Sequence, residues 1–248
     1  MIVSLDWLRE FVDFKLAPQD LADLLTGSGL ESTVGEGGEI LDIEVTPNRP
    51  DCMSHLGVAR EIALLTDSKL KKTETSISES DQPVENEVTI TIENEKGAPR
   101  YAARVVKGVK VGASPDWMVK RLEQCGIRSI NSVVDISNYV LFELGHPLHT
   151  FDLRQVEENA IIVRSARKNE KIVTLDGEER KLSRDHLLIC DPKKPVGLAG
   201  IMGGENSEVA ENTSDVLIEC AYFDPVTVRR GAKKLGLSTE ASKRFERG

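Results

Sequence analysis

Long apolar runs, clustered cysteines and an excess of positive charge are all missing from this 248-residue chain. No stretch approaches the roughly 20 consecutive apolar residues that a membrane-spanning helix needs. The opening MIVSLDWLREFVDF mixes acid and base and has no basic leading region, so it reads as neither a signal peptide nor an anchor. The expectation is a cytoplasmic protein with no membrane partner. Cys52, Cys125, Cys190 and Cys220 are scattered, and none stands two to four positions from another. That removes zinc-type and redox pairs and leaves four reduced, mostly buried small side chains. With 32 Lys and Arg against 41 Asp and Glu, the net charge of −9 argues against a protein that coats nucleic acid indiscriminately.

A content of 40% hydrophobic and 29% charged residues suits a globular chain of one or two domains. Leu5 to Val12 and Pro18 to Thr26 read as short helices, the second opened by proline and closed at Gly27 and Gly29. ILDIEV puts Leu41, Ile43 and Val45 on one side of a strand, and Ser54 can cap a helix running to about Leu65. Residues 1–70 thus form a small α/β domain. Residues 71–87, rich in Ser, Thr, Glu and Lys, have the composition of an exposed linker.

The rest, 88–248, reads as a mixed α+β domain, so the fold class is α+β. Val88, Ile90 and Ile92 alternate as in a half-buried strand, and YAARVVKGVKV supplies another. WMVKRLEQC is a helix ended by Gly126. IVTLDGEERKL is a hairpin with Asp176 and Gly177 in the positive-φ turn positions, and LLIC and VLIEC fit buried strands. Asp224 before Pro225 starts a helix that Gly236 stops. From Arg229 to Arg247 seven basic residues face two acids; the segment reads either as a solvated helix face or as an RNA-binding patch, and its concentration in an otherwise acidic chain favours RNA.

Three segments carry more than structure requires: DISNYVLFELGHPLHTFD from Asp135, GLAGIMGGE from Gly197 and LIECAYFDP from Leu217. Glu219 sits between apolar residues of an apparent strand, where an unpaired carboxylate is costly to bury, so it needs a partner or a ligand. His146 and His149 flank Pro147 and Leu148 without a third ligand at a diagnostic distance, which leaves no metal assigned. No Gly-x-Ser-x-Gly elbow supports Ser137 or Ser207 as a nucleophile, and GLAGIMGGE lacks the lysine of a phosphate loop.

The strings EVTPNRPDCMSHLGVAREIALL, CGIRSINSVVDISNYVLFELGHPLHTFD and LGLSTEASKRFERG closely resemble the beta subunit of bacterial phenylalanyl-tRNA synthetases, over nearly the whole chain apart from the linker. The resemblance implies an amino-terminal α/β domain followed by an editing domain that hydrolyses tRNA(Phe) mischarged with tyrosine. The alternative is a non-catalytic module that holds tRNA or another subunit. It also implies a missing tRNA-binding insertion near 32–39, where Glu31 passes through STVGEGGE to ILDIEV, and a fragment that does not aminoacylate by itself. Carried over, the editing pocket falls on Ser137, Asn138, His149, Ala199, Gly200, Glu219, Thr239 and Ala241. His149 would orient or activate water, Glu219 would read the tyrosine hydroxyl, and backbone N–H groups at Ala199 and Gly200 would steady an oxyanion. Arg229, Arg230, Lys233 and Lys234 would meet tRNA(Phe). The implied partner is the alpha subunit in an assembly of two alpha and two beta chains, and ATP and magnesium belong to the full synthetase, with no cofactor in this segment.

Overall fold

The structure, a computed structural model, describes residues 1–248. Contacts divide it into two compact units, residues 1–78 with 113–146 and residues 79–112 with 147–248.

The first unit joins β1 (Ile2–Ser4), β2 (Glu31–Val34) and β3 (Ile40–Glu44) in an antiparallel sheet of order β1-β3-β2. Leu41, Ile43 and Val45 are buried, as their alternation predicts. Around the sheet lie α1 (Leu5–Phe11), α2 (Pro18–Gly27) and α3 (His55–Leu65). The Ser54 hydroxyl caps α3 by accepting from the Gly57 amide at 3.0 Å. Only glycine fits at 57, because a Cβ there would stand 1.8 Å from the Asp51 carbonyl oxygen.

Two further helices, α4 (Asp116–Gln124) and α5 (Ser132–Leu144), complete this unit. This corrects the linear reading of 88–248 as one continuous block. The first cut falls inside the 71–87 stretch, but Cys125, Leu141 and Phe142 share a core with Trp7, Leu8 and Ile62. Trp7 is stacked between His55 and Tyr139, with ring centroids 4.0 and 4.3 Å away. The His55 Nε2 accepts from the Ser4 amide at 3.0 Å, so Nδ1 carries the proton and donates to the Phe142 carbonyl at 2.8 Å. The side chain of Asn131 caps α5 by accepting from the amides of Val133 and Val134.

The second unit contains β4 (Thr89–Ile92), β5 (Arg100–Val106), β6 (His149–Asp152), β7 (Ala160–Ser165), β8 (Lys171–Val173), β9 (Glu179–Lys181), β10 (Leu187–Cys190), β11 (Pro195–Leu198), β12 (Met202–Gly203) and β13 (Val216–Tyr222). One sheet has the order β12-β11-β10-β7-β4, with β4 and β7 parallel; a second is the antiparallel β5-β13-β6. Their buried faces share a core that includes Phe151, Ile161, Leu188, Val196 and Leu217. Against it pack α6 (Pro225–Leu235) and α7 (Glu240–Phe245), with Phe223 and Phe245 in edge contact at 5.1 Å.

Three local expectations change. In the β8–β9 hairpin only Gly177 has positive φ, at 79°, so the two-residue turn that needs two such positions does not form. A longer loop closes instead, with the Gly177 amide on the Thr174 carbonyl and Asp176 bonded to the Thr174 hydroxyl and to Arg180. Cys220 is exposed, because β13 turns alternate side chains outward. The basic segment is not one surface: Arg244 is buried and ion-paired with Glu240, which also takes Lys243. No helix is long and apolar enough to cross a membrane.

Asp135 is fully buried in the first unit and accepts from the hydroxyls of Ser114 and Ser129, at 2.5 and 2.6 Å, and from the Ile130 amide at 2.9 Å. Asp135→Ala strands three donors and should cost about 3 kcal/mol in urea unfolding. A loss below about 1 kcal/mol would mean that this network does not hold the 129–131 loop on α5.

Candidate functional site

The antiparallel register of β5-β13-β6 determines which side chains meet. Side chains alternate across a strand, so Leu217, Glu219 and Ala221 point to the buried face of β13 while Cys220 and Tyr222 point outward. Glu219 stands directly opposite His149 of β6 and Ala103 of β5, and Tyr101 stands opposite Ala221. Tyr101 is therefore the diagonal neighbour of Glu219, a separation that an aromatic side chain can span. Its hydroxyl donates to Glu219 Oε2 at 2.7 Å.

Glu219 is 7% exposed. Burial pushes its carboxyl up to about 7 against the Tyr101 hydrogen bond, which acts in the other direction. Tyr101 is itself held well above the usual phenol range by burial and by the adjacent carboxylate. No protein group donates to Glu219 Oε1. The partner that the sequence demanded is thus Tyr101, and half of the carboxylate is left for something else.

Burial pulls the His149 pKa down to about 4, so the ring is neutral near pH 7. It meets Phe151 edge to face at 4.5 Å. Its Nε2 is shut off from solvent without a hydrogen-bond partner. That edge is covered by the Gly203 backbone, where a Cβ would lie 2.3 Å from His149 Cε1. Gly203 is held in turn by the β8–β9 hairpin, since its carbonyl accepts from the Leu175 amide at 3.1 Å. The sequence marks Tyr101 only as part of a strand and Gly203 only as part of GLAGIMGGE, with no role for either residue. The inward alternation of Tyr101, Ala103 and Val105 was the available signal, but it takes the register to aim the phenol at Glu219.

The glycine-rich segment serves several masters. Gly200, with φ of 69°, is third in a turn closed by the Ile201 amide on the Leu198 carbonyl. A Cβ on it would come within about 3.1 Å of Phe223, Val228 and Phe245, so a larger side chain here disturbs the core rather than merely filling a pocket. The Ala199 amide already donates to the Leu187 carbonyl at 3.0 Å, which corrects its expected part in an oxyanion pair; the Gly200 amide makes no such bond. Thr239 also has its hydroxyl engaged. It donates to the Ile201 carbonyl at 2.8 Å and accepts from the Ser242 amide at 3.0 Å, capping α7, on which Ala241 is half-buried. Ser137 and Asn138 lie on α5 in the first unit, where the buried Ser137 hydroxyl bonds the Val133 carbonyl at 3.3 Å and Asn138 is half-buried.

Of the four basic residues expected on RNA, all are exposed on α6. Arg229, Arg230 and Lys233 line a groove of about 350 Å³ with Pro225, Val226 and Glu246. Lys234 instead pairs with Asp185 at 2.5 Å.

A mixed α+β unit that buries a half-satisfied carboxylate beside a neutral histidine on a sheet face has the parts of a small-ligand recognition site. The chain belongs to the B3/4 domain family, whose model matches residues 97–248. Among its relatives are proteins named phenylalanine–tRNA ligase beta subunit. That of Syntrophotalea carbinolica is 50% identical over 84% of this chain and 26% of that protein. That of Salinibacter ruber is 50% identical over 91% of this chain and 27% of that protein. That of Rhodopirellula baltica is 44% identical over 100% of this chain and 37% of that protein. The chain therefore spans between a quarter and two fifths of the length of these curated relatives. A solved amino-terminal fragment of the phenylalanyl-tRNA synthetase beta subunit from Pyrococcus horikoshii covers 95% of this chain and 74% of its own, at a TM-score of 0.47 and 19% identity.

The two buried titratable groups affect stability in opposite senses. Folding raises Glu219 from 4.5 to about 7, so the stability tied to its proton is present below pH 4.5 and lost as the pH rises through 7. Folding lowers His149 from 6.5 to about 4, so its contribution is present above 6.5 and lost as the pH falls through 4. Glu219→Gln should therefore stabilise the chain by about 1 to 3 kcal/mol at pH 8 and by almost nothing at pH 4. Thermal unfolding at the two pH values measures this, and an equal effect at both would remove the buried charge as its cause.

Proposed function

We propose that the second unit is the hydrolytic editing module of a phenylalanine–tRNA ligase beta subunit, which releases tyrosine from mischarged tRNA(Phe) in the cytoplasm. The observation that carries this reading is the Glu219 carboxylate, buried, bonded on one oxygen by Tyr101 and unbonded on the other. Phenylalanine and tyrosine differ by one hydroxyl, and a pocket shaped for the ring alone separates them poorly. A buried acceptor is satisfied by the phenol and stranded by phenylalanine, which can supply discrimination of about 10⁴ or more.

In the reaction water adds to the ester carbonyl, the bond to the terminal adenosine oxygen breaks, and that oxygen takes up a proton. His149 is neutral at working pH, and its Nε2 is enclosed against Gly203, so Nδ1 is the nitrogen left to orient the water or the ribose. The Gly200 amide is the donor left for the developing oxyanion. Thr239 and Ala241 shape the wall of the pocket through α7 in this reading. Arg229, Arg230 and Lys233 meet tRNA phosphates along their groove, and Lys234 joins them only by giving up Asp185. The alpha subunit is the partner in a complex of two alpha and two beta chains, where ATP and magnesium serve aminoacylation and not this module.

Glu219→Ala should cut the preference for Tyr-tRNA(Phe) over Phe-tRNA(Phe) by about 1 to 3 kcal/mol, whereas His149→Ala should slow both without favouring either. Tyrosine and phenylalanine release from the two charged tRNAs measures the effect. Equal slowing by Glu219→Ala would make the carboxylate structural, and absence of release from the wild type with intact tRNA binding would favour the scaffold alternative. Reversing Arg229, Arg230 and Lys233 together should weaken tRNA binding and reduce the slope of log affinity against log salt by about 3. An unchanged slope would return α6 to an ordinary solvated helix.

A further inference from the structure

The Glu219 carboxylate is held from one side only. Ala103, directly opposite on β5, is too short to hydrogen-bond it, and His149 on β6 makes no bond to it. Ala221 leaves the Tyr101 ring free to lean across its methyl group to the diagonal position. The last torsion of a glutamate is broad and carries little preference of its own. One hydrogen bond, from the Tyr101 hydroxyl to Oε2, therefore sets which oxygen faces outward. The titratable groups facing Glu219 are Tyr101 and His149; Arg100, Arg104 and Cys220 occupy the opposite, exposed positions of the alternation.

We propose that Tyr101 is a positioning residue for selectivity: by fixing Oε2 it presents Oε1 as a single aimed acceptor for the hydroxyl of a bound aminoacyl group. This rests on the reading of Glu219 as the group that recognises tyrosine. The phenol does not touch the substrate and acts through the carboxylate. An unheld carboxylate would sample other torsions, or take a proton and become a donor as readily as an acceptor. Either change weakens the tyrosine complex and leaves the phenylalanine complex alone.

The test compares the wild-type chain with Tyr101→Phe, Glu219→Gln, Glu219→Ala and the double variant of Tyr101→Phe with Glu219→Ala. Two readouts are used: release from Tyr-tRNA(Phe) and Phe-tRNA(Phe), and the titration of the Glu219 carboxyl followed by carbon-13 NMR, assigned by its loss in Glu219→Gln. Tyr101→Phe should raise KM for Tyr-tRNA(Phe) about tenfold, the worth of one hydrogen bond. It should leave kcat and the phenylalanine substrate nearly unchanged and move the Glu219 titration upward. Added to Glu219→Ala, which leaves the phenol no oxygen to hold, it should do nothing further. A penalty of the same size in the Glu219→Ala background would show that Tyr101 touches the ligand itself and would overturn the proposal, as would an unmoved titration. If the wild-type chain releases neither amino acid, the editing reading fails and the titration alone decides whether Tyr101 holds Glu219. Should Tyr101→Phe not fold, 3-fluorotyrosine at 101, a stronger donor, must shift the titration downward, and no shift would equally overturn the proposal.

Discussion

The second unit is organised around an acidic side chain buried on the inner face of a central strand. β13 is paired on both sides, so its backbone is satisfied and its alternation is rigid. Glu219 cannot turn to solvent without reversing Leu217 and Ala221 as well. The carboxylate must therefore be satisfied where it stands, and one phenol on β5 satisfies half of it. The remaining half is a cost to the empty fold that a hydroxyl-bearing ligand can offset.

The surroundings disfavour charge on this face. His149 is neutral because it is enclosed by Phe151 and Gly203, and Glu219 sits near its own midpoint at neutral pH. A neutral imidazole and a carboxylate bonded to a phenol do not form a fixed ion pair, so neither group is consumed by the other. The cover over His149 comes from the segment that also supports α7, because Ile201 bonds Thr239 while Gly203 lies on the ring. Changes in the glycine-rich segment are thus transmitted both to the core and to the histidine.

The first unit solves a similar problem without leaving anything unpaired at its buried acid. Asp135 collects three donors, and His55 bridges the Ser4 amide and the Phe142 carbonyl while stacking on Trp7. These saturated groups act as fasteners between elements far apart in sequence. The contrast with Glu219 is instructive: a buried polar group with all its partners holds a fold together, and one with partners to spare is available for recognition.

Local chemistry determined much of this in advance. Ser54 as a cap, Asp224 before Pro225 as a helix start, Gly236 as a stop, the alternation of Leu41, Ile43 and Val45, and the need of Glu219 for a partner all follow from neighbours within a few residues. The likeness of three long strings to one synthetase subunit was also legible in the sequence, as a resemblance and not as a consequence of local chemistry. Tertiary structure decided what depends on register and on distant packing. It made Tyr101 the partner of Glu219, because only strand pairing sets 101 diagonal to 219. It enclosed His149 under Gly203, separated Arg244 from the exposed basic groove, and gave α4 and α5 to the amino-terminal core. Sequence spacing carries the period of a helix or strand, whereas the offset between two strands is fixed only when their shared faces are buried together.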